Sequence, residues 1–198
     1  GYQATANASY RANNFYSNII GANYQIFDII HIGLESGRPF TKSEELAKAR
    51  VAVIGPDVAS NLFTNRDPLG QRFKIGNDSY EVIGVSASKG PQDASSITIP
   101  YTTMKDQFNM DSVSEILVKA KSKDDIQVTI RAVTLALMRD LKSDDFTVMT
   151  QEDVLSSVDN ILNILQIALG AIASISIFVG GIGIMNIMLV SVTERTRE

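Results

Sequence analysis

Along this 198-residue chain the pattern of apolar and polar positions changes character twice. Between Ala8 and Ile20, aromatic and β-branched residues alternate roughly with small polar ones, which predicts a strand. Asn23 to His31 predicts a short helix or turn that packs Tyr24, Phe27 and Ile30 inward. Glu35-Ser-Gly-Arg38, followed by Pro39, predicts a turn. Thr41 with Glu44 three residues later predicts a capped helical turn. The unbroken apolar run Val51-Ala-Val-Ile54 predicts a buried strand, and Pro56 is placed to open a helix through Phe63. Asp67-Pro-Leu-Gly70 predicts a turn. Phe73 and Ile75, then Gly76-Asn-Asp-Ser79, then Tyr80 and Val82 to Val85 form a hairpin signature. Ser88 to Ser96 predicts a polar loop, and Ile97-Thr-Ile99 another short strand.

The second pattern covers Glu115 to Val148 and predicts strand, helix, strand. Ile116, Val118 and Ala120 alternate. Ile126, Ile130, Val133, Leu137 and Leu141 recur at helical spacing, and Phe146 and Val148 mark a returning strand. A β-α-β unit of this kind crosses over onto a sheet with right-handed sense. The third pattern opens at Thr150-Gln-Glu-Asp153, a capping box. Val154, Leu155, Val158, Ile161, Leu162 and Leu165 line one side of the helix it starts, which reads as a stalk. From Asn160 to Thr193 there is no Asp, Glu, Lys or Arg. Ile167 to Val192 is therefore long enough to cross a bilayer, since about 20 residues span the hydrocarbon. Arg195 and Arg197 directly beyond it place that end in the cytoplasm and the folded part outside. Gly170, Gly180, Gly181 and Gly183, with Asn186, suggest close packing against another helix in the membrane.

Composition narrows the function. Charged residues make up 20% and apolar ones 44%, a globular balance, and the net charge is −4. The scattered Lys and Arg offer no basic face for phosphates, so nucleic acid is not an expected partner. The absence of cysteine excludes thiolate zinc sites, a single histidine removes most metal sites and any arrangement that needs a second one, and His31 among Ile29, Ile30 and Ile32 reads as structural. The acidic pairs Glu44-Glu45, Asp124-Asp125 and Asp144-Asp145 fall at element starts or loops, where acids suit the helix dipole. No catalytic, cofactor-binding or metal residue is assigned. No Gly-x-x-x-x-Gly-Lys-Ser/Thr run occurs, so the chain is not expected to be an enzyme. Gly1 to Asn14 has no leader pattern, so a segment upstream of Gly1 is expected to carry the domain outward.

The run from Gly170 to Glu198, through Val179-Gly-Gly-Ile-Gly-Ile-Met-Asn186 and Thr193-Glu-Arg-Thr-Arg-Glu198, resembles the second transmembrane helix of MacB-type ABC transporter permeases. Ser36-Gly-Arg-Pro-Phe40, Val51-Ala-Val-Ile-Gly55, Asp67-Pro-Leu-Gly70, Val82-Ile-Gly-Val85 and Ile99-Pro100 resemble successive landmarks of that family's extracytoplasmic core domain, and Asp145 to Asp153 its junction with the stalk. The resemblance implies an α+β fold. A porter-like βαβ subdomain holds an inserted, mostly-β subdomain at about 41–110, and a stalk helix continues into the transmembrane helix. Its divisions are a core domain at 1–150, a stalk at 151–166, a membrane helix at 167–193 and a coupling segment at 194–198. It implies that Glu194, Arg195, Thr196, Arg197 and Glu198 dock onto an ABC ATP-binding subunit or domain, which holds the ATP and Mg. A second permease copy and the lipid bilayer are the other implied partners, with a periplasmic adaptor where the cell envelope requires one. The location implied is the bacterial inner membrane, and the function is mechanotransmission driving export or extraction of a substrate. An FtsX-like regulator of an extracytoplasmic cell-wall enzyme, or a single-pass anchored sensor, stands as the alternative.

Overall fold

A computed structural model describes every residue except Asn65, Lys89, Asp111, Arg197 and Glu198, and also leaves out the side chains of Gln92 and Glu194. The chain divides into two units, Gly1–Lys119 and Ala120–Glu198. The first holds seven strands: β1 (Tyr2–Tyr10), β2 (Asn13–Ala22), β3 (Leu34–Gly37), β4 (Val51–Ile54), β5 (Arg72–Ile75), β6 (Asp78–Ser86) and β7 (Ser96–Pro100). Their order across the sheet is β3-β6-β4-β7-β2-β1-β5, and β5 pairs back onto β6. Six strands therefore close on themselves as a small barrel, which removes most exposed edges.

β6 makes closure possible because it is long enough to serve three neighbours. Asp78–Glu81 pair with β5 and Glu81–Val85 with β4. Val85 pairs with both Ser36 of β3 and Ile54 of β4, so β3 and β5 lie end to end along one edge of β6. The β2–β7 and β4–β6 pairs are parallel and the others antiparallel. Inward positions alternate as a strand period of two requires. Ala8, Ile19, Ala52, Ile54, Phe73, Ile75, Tyr80, Val82, Ile97 and Ile99 belong to one buried cluster. Each large side chain among them contributes about 1.5–3 kcal/mol by leaving water.

Two helices complete this core. α3 (Pro56–Leu62) adds Val58 and Leu62, and Phe63 behind it packs 4.5 Å from the Tyr10 ring. α5 (Tyr101–Phe108) adds Met104 and a polar tie, in which the buried Tyr80 hydroxyl donates to Gln107 and the Gln107 amide donates to the Ile75 carbonyl at 2.8 Å. Burial, with Asp78 nearby, pushes the Tyr80 phenol up to about 12. A second buried cluster forms around Val53, which the strand alternation points away from Ala52 and Ile54. There α1 (Ile26–Ile29) supplies Ile26 and Phe27, and Phe40 meets Phe27 edge-on at 5.1 Å.

α2 (Lys42–Leu46) is capped as its sequence predicts. The Glu44 amide donates to the Thr41 hydroxyl at 3.3 Å, and the Glu44 carboxylate accepts from the Thr41 amide at 2.8 Å. The same carboxylate takes a two-pronged contact from Arg38 at 2.9 and 2.7 Å. The Arg38 hydrogen bond, ahead of those from Thr41, holds Glu44 down at about 2. A carboxyl depressed on folding stabilises above its unfolded pKa of 4.5 and loses that contribution as pH falls toward 2. The stability difference between wild type and Glu44→Gln is therefore expected to be constant above pH about 5 and to shrink steadily below it. Urea midpoints across that range measure it.

Several sequence expectations change. The single strand expected at 8–20 is a hairpin turning at Arg11 and Ala12, with Tyr10 opposite Asn13. The turn expected at 35–38 is β3. The loop expected at 88–96 contains α4 (Pro91–Ala94) and the first residue of β7. α5 has no counterpart in the pattern reading. Residues 2–22, expected in the flanking part, pair into the same sheet as residues 51–100. His31 is exposed rather than packed and adopts φ 51°, ending α1 in the left-handed region that usually falls to Gly or Asn.

The expected strand–helix–strand at 115–148 shows the helix alone, as α6 (Ile126–Leu137) in the second unit. No strand is formed at 116–120 or 146–148. Ile116 and Val118 are more than half exposed, so their alternation has no sheet to pack against. The unit ends in α7 (Gln151–Arg195), an unbroken helix of 45 residues.

Candidate functional site: the stalk and membrane helix

The sequence starts α7 with a reciprocal cap. Asp153 donates its amide to the Thr150 hydroxyl at 3.1 Å and accepts from the Thr150 amide at 2.8 Å. No Pro interrupts the helix afterwards, and at 1.5 Å per residue it runs about 68 Å. The stretch Gln151–Thr193 has mean hydropathy 2.2 over its most apolar window, none of which is buried. Phe178, Ile177 and Ile187 are each at least 70% exposed. A soluble surface rarely carries a contiguous apolar patch of that extent, whereas a helix crossing lipid must.

The polar groups in the apolar stretch turn inward on the helix itself. Ser174 donates to the Gly170 carbonyl at 2.8 Å, Ser176 to the Ile172 carbonyl at 2.9 Å, and Thr193 to the Leu189 carbonyl at 3.0 Å. Such bonds satisfy hydroxyls where no water is present. Among the described residues, the Asn186 amide makes no such bond.

The stalk residues Val154, Leu155, Val158, Ile161, Leu162 and Leu165 repeat at three- and four-residue intervals, so the helix gathers them on one side, each 47–64% exposed. The small residues are not gathered in that way. Gly170 and Gly181, three turns apart, share a stripe with Ser174. Gly183 and Asn186 share another with Ser176, roughly half a turn around the helix, and Gly180 lies between the two. A Cβ on any of the four glycines meets nothing within 4 Å. At the far end, Arg195 closes α7, and Thr196 donates its hydroxyl to the Val192 carbonyl at 3.0 Å. Arg197, Glu198 and the side chain of Glu194 lie outside the described residues.

The acidic pairs serve structure. Glu44 caps α2, and Glu45 is buried with its carboxylate accepting the Tyr24 amide at 2.6 Å. Asp125 precedes α6 and accepts from Ser122 at 2.8 Å, and Asp145 accepts the Lys142 amide at 3.0 Å. Among the described residues, no three His, Asp or Glu side chains converge to hold a metal. Two features escaped the pattern reading. One is the α5 tie to Tyr80, whose residues have weak helical patterning. The other is the outer face of β1 and β2, whose composition has meaning only once the register is known.

A small barrel domain and a long, unburied apolar helix together make a membrane-anchored protein with a folded extramembrane part. The description "MacB-like periplasmic core domain" matches residues 1–136. The chain is 35% identical over 195 residues to "Uncharacterized ABC transporter permease YknZ" of Bacillus subtilis, covering 96% of this chain and 49% of that protein. It is 34% identical over 195 residues to "Macrolide export ATP-binding/permease protein MacB" of Neisseria meningitidis, covering 96% and 30%. The chain thus spans half or less of these relatives, and the similarity runs through the membrane helix. The solved extracellular domain of YknZ aligns with a TM-score of 0.58 at 27% identity, over 64% of this chain and 66% of that one. The periplasmic region of MacB from Actinobacillus actinomycetemcomitans aligns at 0.68 and shares the fold at 22% identity, over 80% and 73%. The chain belongs to the MacB-like periplasmic core domain family.

Proposed function

We propose that the chain is the extracytoplasmic core and second membrane helix of an ABC transporter permease that turns cytoplasmic ATP binding and hydrolysis into movement outside the bacterial inner membrane. The observation that carries this reading is α7, which runs without a break from the Thr150 cap to Arg195. A helix this long and continuous transmits displacement along its axis, and its ends fall on opposite sides of a bilayer about 30 Å thick. Glu194, Arg195, Thr196, Arg197 and Glu198 would dock on an ATP-binding subunit or domain that holds ATP and Mg. The apolar stalk side and the two small-residue stripes would face a second permease copy, with Asn186 free to hydrogen-bond across. Export or extraction of a substrate would follow from the motion, with an adaptor outside where the envelope needs one.

Residues 115–148 would join a porter-like part carrying the barrel. Gly1 and Glu115 support this, because the Gly1 amino group donates to the Glu115 carbonyl and the Gly1 carbonyl accepts from the Ser114 and Glu115 amides at 3.1 and 3.4 Å.

The test reverses charge at the inner end. In the full-length permease reconstituted with its ATP-binding partner, Arg195→Glu with Arg197→Glu is expected to lower substrate-stimulated ATPase activity by at least about tenfold. Basal activity of the ATP-binding subunit alone should not change. Normal stimulation in the double variant would overturn the coupling role, and ATPase activity indifferent to any exported substrate would favour a regulatory module.

A further inference from the structure

The outward face of the β1–β2 ribbon differs in its chemistry from the rest of the chain. From Gly1 to Phe27 the only charged side chain is Arg11, although charged residues make up 20% of the whole. The pairing register shows where the uncharged residues go. Thr5 lies opposite Asn18, Asn7 opposite Tyr16 and Ser9 opposite Asn14. Opposed residues in an antiparallel pair share a face, so these side chains, with Gln3, form one continuous patch turned away from the core. The inward positions of both strands are Ala, Tyr, Phe, Ile, Asn13, Ser17 and Gly21, while Ile20, opposite Gln3 on the outer face, ends the patch by packing against the second buried cluster.

At the centre of the patch Tyr16 is 69% exposed, and it is the one exposed aromatic among the described residues of the first unit. Its hydroxyl donates diagonally to Thr5 at 3.0 Å, and the Asn7 amide donates to Asn14 at 3.4 Å. These contacts hold the phenol and two amides in place before any ligand arrives, which lowers the ordering cost of binding. Gln3 to Ser9 covers about 20 Å along the strand, several sugar rings in length. The nearest charge along the sheet is Lys74, paired with Ser9 at one end of the patch.

Charge complementarity selects the ligand. Between Gln3 and Asn7, and on Tyr16 and Asn18 beside them, phosphates, carboxylates and ammonium groups find no opposite charge; the one cation in register, Lys74, lies beyond them beside Ser9. Amides and hydroxyls that both donate and accept match sugar hydroxyls and acetamido groups, and an exposed aromatic ring offers an apolar platform with a polar tip. We infer that the outer β1–β2 face binds an uncharged glycan built from N-acetylated sugars, such as lies outside the membrane on which this domain is carried. The inference stands independently of the coupling role of α7.

The experiment titrates the full chain in lipid nanodiscs with the hexamer of N-acetylglucosamine, read by calorimetry and by tyrosine emission, which no tryptophan obscures. Saturable binding is expected, and Tyr16→Ala should weaken it about tenfold. Tyr16→Phe keeps the ring and should bind within about twofold of wild type, while Asn7→Asp with Asn18→Asp should bind less well. All three changes lie on exposed or half-exposed positions, and unchanged near-ultraviolet dichroism would confirm folding. Absence of saturable binding, or equal binding by Tyr16→Ala, would overturn the inference. Self-association without sugar that Tyr16→Ala abolishes would also overturn it and assign the face to a second copy.

Discussion

Replacing Gly55 with alanine is expected to destabilise the barrel by at least about 3 kcal/mol. Gly55 sits between β4 and α3, and its amide donates to the Ser96 carbonyl at 2.8 Å. Its φ of −73° is open to any residue, so the constraint is space rather than backbone strain. A Cβ there would fall 2.2 Å from the Ala94 carbonyl oxygen and 2.5 Å from that of Asp93. Both are backbone atoms of α4, which cannot rotate away as a side chain does. Relief requires moving α4 off α3 or breaking the β4–β7 contact at Ser96. Gly90→Ala is the control, since a Cβ at Gly90 meets nothing within 4 Å and its φ of 177° is extended. It should change stability by less than about 0.5 kcal/mol. All six tyrosines lie between Tyr2 and Tyr101, so near-ultraviolet dichroism reports barrel unfolding while the α7 signal persists in the far ultraviolet. Urea midpoints of the two variants decide the matter, and similar midpoints would show that α4 is free to shift.

How legible the fold was depends on where the information resides. Val51–Ile54, Pro56, Phe73 to Val85 and Ile97–Ile99 were readable because their signals are local: apolar runs, a proline at a helix start, a turn between two strands. Their assembly into a barrel was not readable. Nothing local in Val85 says that it pairs with both Ser36 and Ile54, and nothing in Ala8 says that it faces Ile75. Ser36, Gly37 and Arg38 resemble a turn in sequence, yet Gly37 at φ 79° pairs with Gly84 of β6, close against the Ile83 carbonyl. The converse failure, at 116–120, arises because alternation predicts a strand only where a partner exists to receive it. In the candidate site, the cap, length and apolar character of α7 were visible from residues alone. The separation of its small residues into two stripes appears only when helical positions are placed around the axis.

Introducing proline at Leu162 is expected to abolish substrate stimulation while leaving both the barrel and the membrane anchor intact. Leu162 lies within the stalk, after the Thr150 cap and before the stretch Ile167 to Val192 assigned to the bilayer. Proline there removes one backbone donor and presses its ring against the preceding turn, at a cost of about 3 kcal/mol or more, and bends the helix. The anchor survives because the 26 uncharged positions from Ile167 to Val192 exceed the roughly 20 needed to span hydrocarbon. The barrel survives because the break is confined to the second unit. Leu162→Ala separates the two physical roles of the residue. Alanine keeps the helix continuous and removes only the exposed side chain, so it disturbs contact with a partner but not transmission along the axis. In the full-length permease, stimulated ATPase activity should therefore fall far more with proline than with alanine, and near-ultraviolet tyrosine dichroism should be unchanged in both. Equal losses in the two variants would assign Leu162 to a packing face, and the continuous rod would lose its role in carrying motion outward.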